Sequence, residues 1–238
     1  MATLQLIRLR GIVFDLDGVI ADTEDLHRRA YNLAFADLGI EVEWSEQDYR
    51  DRLILSGGKK LETIQLPESD LSPEEFRRQI YSLKRSHYQA LLRKGPLEPR
   101  PGVIRLIREA RERGVRIGAA STCAKEGAVT ILEEALGMEG ARAFSVLKTG
   151  EDTPHRKPAP DIYLLALEAL DLPARDCVAI EDSQHGLEAA KAAGLWTLVT
   201  PSQYTAGSDF SLADRVVPDL ERGGIDLSVL DRELSGLG

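Results

Sequence analysis

Apolar residues along the chain fall into two patterns. Continuous apolar runs, as expected of strands buried on both faces, occur at Ile12-Val13-Phe14, Val115–Ala120, Cys177–Ile180 and Leu195–Val199, with shorter ones near 143–147 and 215–218. Between these runs apolar positions recur every three or four residues, which predicts helices over about 102–113, 125–136, 160–170 and 184–193. Strands alternating with helices imply a parallel sheet covered on both faces. The expected fold class is therefore α/β, a doubly wound, parallel-sheet, Rossmann-like core.

After the first strand the alternation stops for about seventy residues and only helical patterns remain. Leu26, Ala30, Leu33, Ala34 and Leu38 mark a helix over 23–38 that ends at Gly39. Ser45, with Asp48 three residues on, resembles a helix start, and Ser72-Pro73 is an N-cap followed by proline at the first helical position. A long helix over about 73–93 offers Phe76, Ile80, Leu83, Tyr88 and Leu91 to a partner. The Pro- and Gly-rich stretch Gly95–Gly102 then reads as a return linker. The expected division is a core of residues 1–22 and 97–238, with a small all-helical cap domain, 23–96, inserted after the first strand. An insert placed there can close over a substrate and exclude water.

Composition narrows the picture little. The chain has 238 residues, 43% hydrophobic and 29% charged, which is ordinary for a soluble protein. A net charge of −9 argues against a nucleic-acid surface. No run approaches the ~20 apolar residues of a membrane span, and the first residues lack the apolar core of a signal peptide. Cys123 and Cys177 form no CxxC and no disulfide framework, so a reducing cytosol is expected.

The chemistry gathers where the predicted strands end. The first runs into Asp15, Leu16, Asp17 and Gly18. If strand geometry persisted, the two carboxylates would share a side. They would repel unless a cation neutralised them, and Mg²⁺ is the natural hard cation for carboxylates, water and phosphate oxygens. Alternatively, an aspartate here caps the next helix. Ile180-Glu181-Asp182-Ser183 repeats the design, with Asp182 and Glu181 as metal-ligand candidates and Ser183 a possible cap. Ser121-Thr122, ending the second core strand, offers hydroxyl and backbone N–H groups to a phosphate oxygen. Lys157 lies in Arg156-Lys157-Pro-Ala-Pro-Asp161, stiffened by Pro158 and Pro160, where its ammonium could neutralise a transferring phosphoryl group. Cys123 reads as a small filler beside Ser121 rather than a nucleophile.

These four segments, in order across residues 12–186, resemble the motifs of the haloacid-dehalogenase-like phosphatases. The resemblance implies that Asp15 is the nucleophile that becomes phosphorylated, that Asp17 is the general acid/base, and that Ser121 and Lys157 hold the phosphoryl group. It also implies Mg²⁺ bound by Asp15, Asp182, Glu181 and Asp17, the last through its carboxylate or its backbone carbonyl. The run Asp22-Thr-Glu-Asp-Leu-His-Arg-Arg-Ala-Tyr-Asn-Leu-Ala-Phe35, with Gly57-Gly58-Lys59 later, is similar to the sugar-bisphosphate phosphatases that accompany carbon fixation. Those remove a phosphate from xylulose-1,5-bisphosphate, an inhibitor of the carboxylating enzyme. Glu24, His27, Gly58 and Lys59 are then expected to choose the substrate, with Lys59 on the distal phosphate. β-Phosphoglucomutases and phosphoglycolate phosphatases are the alternatives within the resemblance. The expected protein is a monomer acting on a small phosphorylated sugar, in the cytoplasm or, in a plant or alga, the plastid stroma.

Overall fold

The computed structural model describes residues 8–53, 59–68 and 71–236. Its chain divides into two compact units, 1–22 with 98–238, and 23–97.

The larger unit holds a six-stranded parallel sheet. In chain order its elements are β1 (Gly11–Phe14), α4 (Val103–Glu112), β2 (Arg116–Ala120), α5 (Lys125–Ala141), β3 (Phe144–Lys148), α6 (Asp161–Leu170), β4 (Cys177–Glu181), α7 (Gln184–Ala192), β5 (Trp196–Val199), β6 (Arg215–Val216) and α8 (Leu227–Leu234). Helices α1 to α3 belong to the smaller unit. The strands lie in the order β3-β2-β1-β4-β5-β6, which puts β1 in the interior of the sheet. Ile12, Val13 and Phe14 are accordingly fully buried. Burial of each contributes about 1.5–3 kcal/mol. Val13, Ala120 and Ala179 join the core formed with α6 and α7. Ile12 and Phe14, of opposite parity, point to the other face, where α4 packs against β2 and α8 against β4.

Predicted and observed elements agree within a residue or two, with two exceptions. Helix α5 continues past its expected end at 136, but Gly137 is non-helical (φ 68°, ψ 169°) and kinks it there. Helix α8 is absent from the sequence reading, although Leu227, Leu230 and Leu234 have helical spacing and are all buried. Its N-cap Asp226 accepts from Val229 N–H at 2.8 Å, and Asp231 Oδ1 accepts from the N–H groups of Arg8 and Leu9, holding the first described residues.

The smaller unit is helical: α1 (Glu24–Asp37), α2 (Glu46–Leu53), a short 3₁₀ turn (Lys59–Leu61) and α3 (Pro73–Leu92). Ser45 and Asp48 pair as expected, with hydrogen bonds of 2.6–3.1 Å. Ser72 and Glu75 form a complete capping box at the start of α3. An aromatic cluster of Tyr31, Phe35, Trp44 and Tyr49 fills the interior, with Phe35 and Trp44 edge to face at 4.8 Å. Asn32 fixes Trp44 by accepting from its N–H and donating to its carbonyl.

Candidate active site

Sheet order builds the site. β1 pairs with β2 on one side and β4 on the other, Phe14 lying level with Ala119 and Ile180. The residues at the ends of these strands, Asp15, Ser121 and the pair Glu181-Asp182, therefore meet at the carboxyl edge, where open α/β sheets place their ligands. Asp15 N–H donates to the Ile180 carbonyl at 2.9 Å, locking the end of β1 to β4.

Strand geometry does not continue through Asp17. The chain turns at Leu16, whose carbonyl accepts from Val19 and Ile20, and Gly18 adopts φ +78°, a conformation costly for residues with a side chain. The two aspartates therefore diverge. Asp15 is buried and accepts from Lys157 Nζ at 2.6 Å, whereas Asp17 Oδ2 lies 3.5 Å from the Ser121 hydroxyl. Asp15, Glu181 and Asp182, all buried, present carboxylate oxygens within 4.8 Å of one another. Asp17 does not join that group. Its carboxylate therefore does not share a side with that of Asp15, as persistent strand geometry would have required.

Three buried carboxylates face one ammonium. Burial raises the Asp15 pKa well above the usual carboxylate range; Lys157 pulls it back, while Glu181, Asp182 and Asp17 push it up. Burial works against the Lys157 charge, yet Asp15 and Glu181 together outweigh it and hold its pKa above the ordinary lysine value. The excess of buried negative charge and the oxygen-only donor set suit a divalent hard cation such as Mg²⁺.

Glu181 is held firmly. Its Oε1 accepts from Lys157 Nζ at 2.6 Å and from the Tyr163 hydroxyl at 2.5 Å. Its Oε2 accepts from Asp182 N–H at 3.1 Å, at the N-terminus of α7. Ser183 takes the capping role, accepting from Gly186 N–H at 3.1 Å, so capping does not use Asp182. Tyr163 was missed in the sequence. It is fully buried, and Lys157 Nζ sits 4.9 Å from its ring centre. Its only sequence signal is its place two residues after Asp161, on the inward face of α6.

At the end of β2, Ser121 N–H is committed to the Lys148 carbonyl, while its hydroxyl accepts from Cys123 N–H at 3.2 Å and stands beside Thr122 at the carboxyl edge. That hydroxyl also lies 3.1 Å from Cys123 Sγ, and burial, followed by Asp17, pushes the Cys123 thiol pKa far above its ordinary value. That shift keeps the thiol protonated, which disfavours it as a nucleophile.

In the helical unit, Glu24 Oε2 accepts from the Tyr49 hydroxyl at 2.9 Å. His27 stacks on Tyr88 at 3.8 Å, and its Nδ1 lies 2.6 Å from Lys84 Nζ, so that nitrogen accepts. Lys84 on α3 was not foreseen, because its meeting with His27 depends on how α1 and α3 pair. Gly58 and the side chain of Lys59 lie outside the described residues. The next residue, Lys60, has its Nζ 5.1 Å from the Tyr49 ring centre, and burial lowers its pKa while Glu24 raises it.

Residues 9–194 match the family model of the haloacid dehalogenase-like hydrolases. The chain belongs to that family. Protein CbbY from Rhodobacter capsulatus is 37% identical over 90% of this chain and 95% of its own length. A mutant of CbbY from Rhodobacter sphaeroides, crystallised in complex with xylulose-1,5-bisphosphate, is 36% identical, with a TM-score of 0.82 over 92% of this chain and 99% of that one. Beta-phosphoglucomutase from Bacillus subtilis is 30% identical over 84% of this chain and 88% of its own length. This member of the haloacid dehalogenase-like hydrolases is thus an enzyme, with the parallel α/β core of the family. Among its described residues no helix is long and apolar enough to cross a membrane.

Proposed function

We propose that the chain is a Mg²⁺-dependent phosphomonoester hydrolase that acts through an aspartyl phosphate on Asp15 and prefers xylulose-1,5-bisphosphate, protecting a carbon-fixing carboxylase from that inhibitor. The observation that carries the chemistry is the buried Asp15 carboxylate, 2.6 Å from Lys157 in a group with Glu181 and Asp182. The CbbY structure with bound xylulose-1,5-bisphosphate supports the substrate.

In the first step an Asp15 oxygen attacks phosphorus and the bond to the sugar oxygen breaks. Asp17, protonated, gives its proton to the leaving alkoxide. In the second step Asp17, now a carboxylate, takes a proton from water as that water attacks phosphorus, releasing phosphate and restoring Asp15. Lys157 neutralises the phosphoryl oxygens and the attacking carboxylate, and the Ser121 hydroxyl donates to a phosphoryl oxygen. Asp15, Asp182, Glu181 and the Asp17 carbonyl would hold Mg²⁺, which supplies further charge neutralisation when bound. The separation of Asp15 from Asp17 suits this division of labour: Lys157 holds the carboxylate of Asp15, and that of Asp17 lies beside the Ser121 hydroxyl.

Glu24, His27, Gly58 and Lys59, from the insert that leaves the core just after Asp17, select the sugar, with Lys59 on the distal phosphate. Tyr49 and Lys84 hold Glu24 and His27. The enzyme works as a monomer, in the cytoplasm or in the plastid stroma of a plant or alga.

The test is phosphate release with Mg²⁺ from xylulose-1,5-bisphosphate, ribulose-1,5-bisphosphate, phosphoglycolate and β-glucose-1-phosphate primed with its 1,6-bisphosphate. The xylulose bisphosphate is expected to have the highest kcat/KM, and Lys59→Ala to raise KM for bisphosphates far more than for monophosphates. Conversion of β-glucose-1-phosphate to glucose-6-phosphate without net phosphate release would replace the hydrolase by a mutase.

A further inference from the structure

The segment after β5 carries no motif, yet it reaches the acidic cluster. Thr205 Oγ1 lies 3.1 Å from Asp182 Oδ2, both groups being buried. A hydroxyl has one proton to give and two lone pairs to accept with. Ser202 engages the accepting side of Thr205 twice, its N–H donating at 2.9 Å and its hydroxyl lying at 2.9 Å. A carboxylate can only accept, so the single Thr205 proton goes to Asp182 and the Ser202 hydroxyl is left to donate to Thr205.

The segment is itself anchored. Thr200 N–H donates to the Glu181 carbonyl at 2.7 Å, continuing the β4–β5 pairing. The Arg100 guanidinium donates to the carbonyls of Thr200 (2.6 Å), Pro201 (2.9 Å) and Gly18. Gly18 forms the opposite wall of the cluster, because a Cβ there would overlap the Asp182 carboxylate. One half-buried cation thus ties together the two backbone segments that enclose Asp182.

We propose that Thr205 is a positioning residue for Asp182, aimed by Ser202 and held by the Arg100 brace, and that it presets the Asp182 carboxylate for Mg²⁺. The inference rests on the Mg²⁺ site proposed above. Partners of metal-binding carboxylates typically contribute 10–100-fold to metal affinity.

Mg²⁺ binding to the full chain, measured by titration calorimetry without substrate, tests it alongside the melting temperature in chelator. Thr205→Val is expected to weaken Mg²⁺ binding about tenfold or more while the metal-free protein still melts cooperatively, at a temperature lowered by the buried Ser202 N–H left unpaired, and Thr205→Ser to restore Mg²⁺ binding. Asp182→Asn is the reference and is expected to abolish binding. Loss in Asp182→Asn with wild-type affinity in Thr205→Val overturns the role of Thr205 and leaves the metal site standing. Wild-type affinity in Asp182→Asn overturns both. Should Thr205→Val not fold, Ser202→Ala removes only the hydroxyl that aims the Thr205 proton, and it is expected to weaken Mg²⁺ binding severalfold; unchanged affinity overturns the proposal.

Discussion

Gly186 occupies the first turn of α7, where alanine would ordinarily favour the helix by up to about 1 kcal/mol. Here the outcome is expected to be the reverse. A Cβ at 186 would overlap the Glu181 carboxylate, its Cδ included. Such an overlap is harmless when a flexible side chain can swing away, but Glu181 is fully buried and its Oε1 is held by Lys157 at 2.6 Å and Tyr163 at 2.5 Å. Displacing it sacrifices two hydrogen bonds to a charged group, each worth about 1.5–3 kcal/mol. After the helix gain is subtracted, the net loss is about 2–5 kcal/mol. At about 2–4 °C per kcal/mol for a chain of this size, the core transition should fall by roughly 4–20 °C. Differential scanning calorimetry of Gly186→Ala in metal-free buffer gives the shift. A melting temperature at or above wild type would show that Glu181 is not locked in place, and the account of its contacts would be wrong.

Two further outcomes follow from the charge and burial of the same cluster. Because the folded-state pKa of Asp15 is raised, its protonation favours the folded state below the unfolded value near 3.8, and that advantage is lost as pH rises through the folded value. In metal-free buffer, Asp15→Asn should therefore gain stability relative to wild type over that window, measured as the difference in melting temperature against pH. A difference that stays flat would refute the raised pKa, and turnover should be abolished at every pH. Burial also keeps both thiols protonated, Cys177 being pushed up to about 12 and Cys123 higher still. Neither should react with a maleimide at neutral pH until the protein is unfolded, and rapid labelling of the native protein would contradict that.

The sequence by itself determined the strands, the helical insert and the residues that end each strand. Buried parallel strands must be apolar throughout, and capping boxes and linkers act within a few residues, so Ile12–Phe14, Ser72 with Glu75, and Gly95–Gly102 are legible locally. Asp15, Ser121, Lys157 and Asp182 were legible for the same reason, each being placed by the strand or the proline-stiffened loop next to it. The tertiary structure decided how these groups orient and what holds them. The turn at Leu16 parts Asp17 from Asp15, a backbone event that a D-x-D spacing does not encode. Tyr163, Thr205, Arg100 and Lys84 carry no motif and act on partners far away in sequence, 18 residues for Tyr163 with Glu181 and 82 for Arg100 with Gly18. Their roles exist only once the order β2-β1-β4-β5 brings strand ends together and α1 meets α3. A side chain's type is written in the sequence, but the direction of its hydrogen bond belongs to the packed neighbours that leave it one place to go.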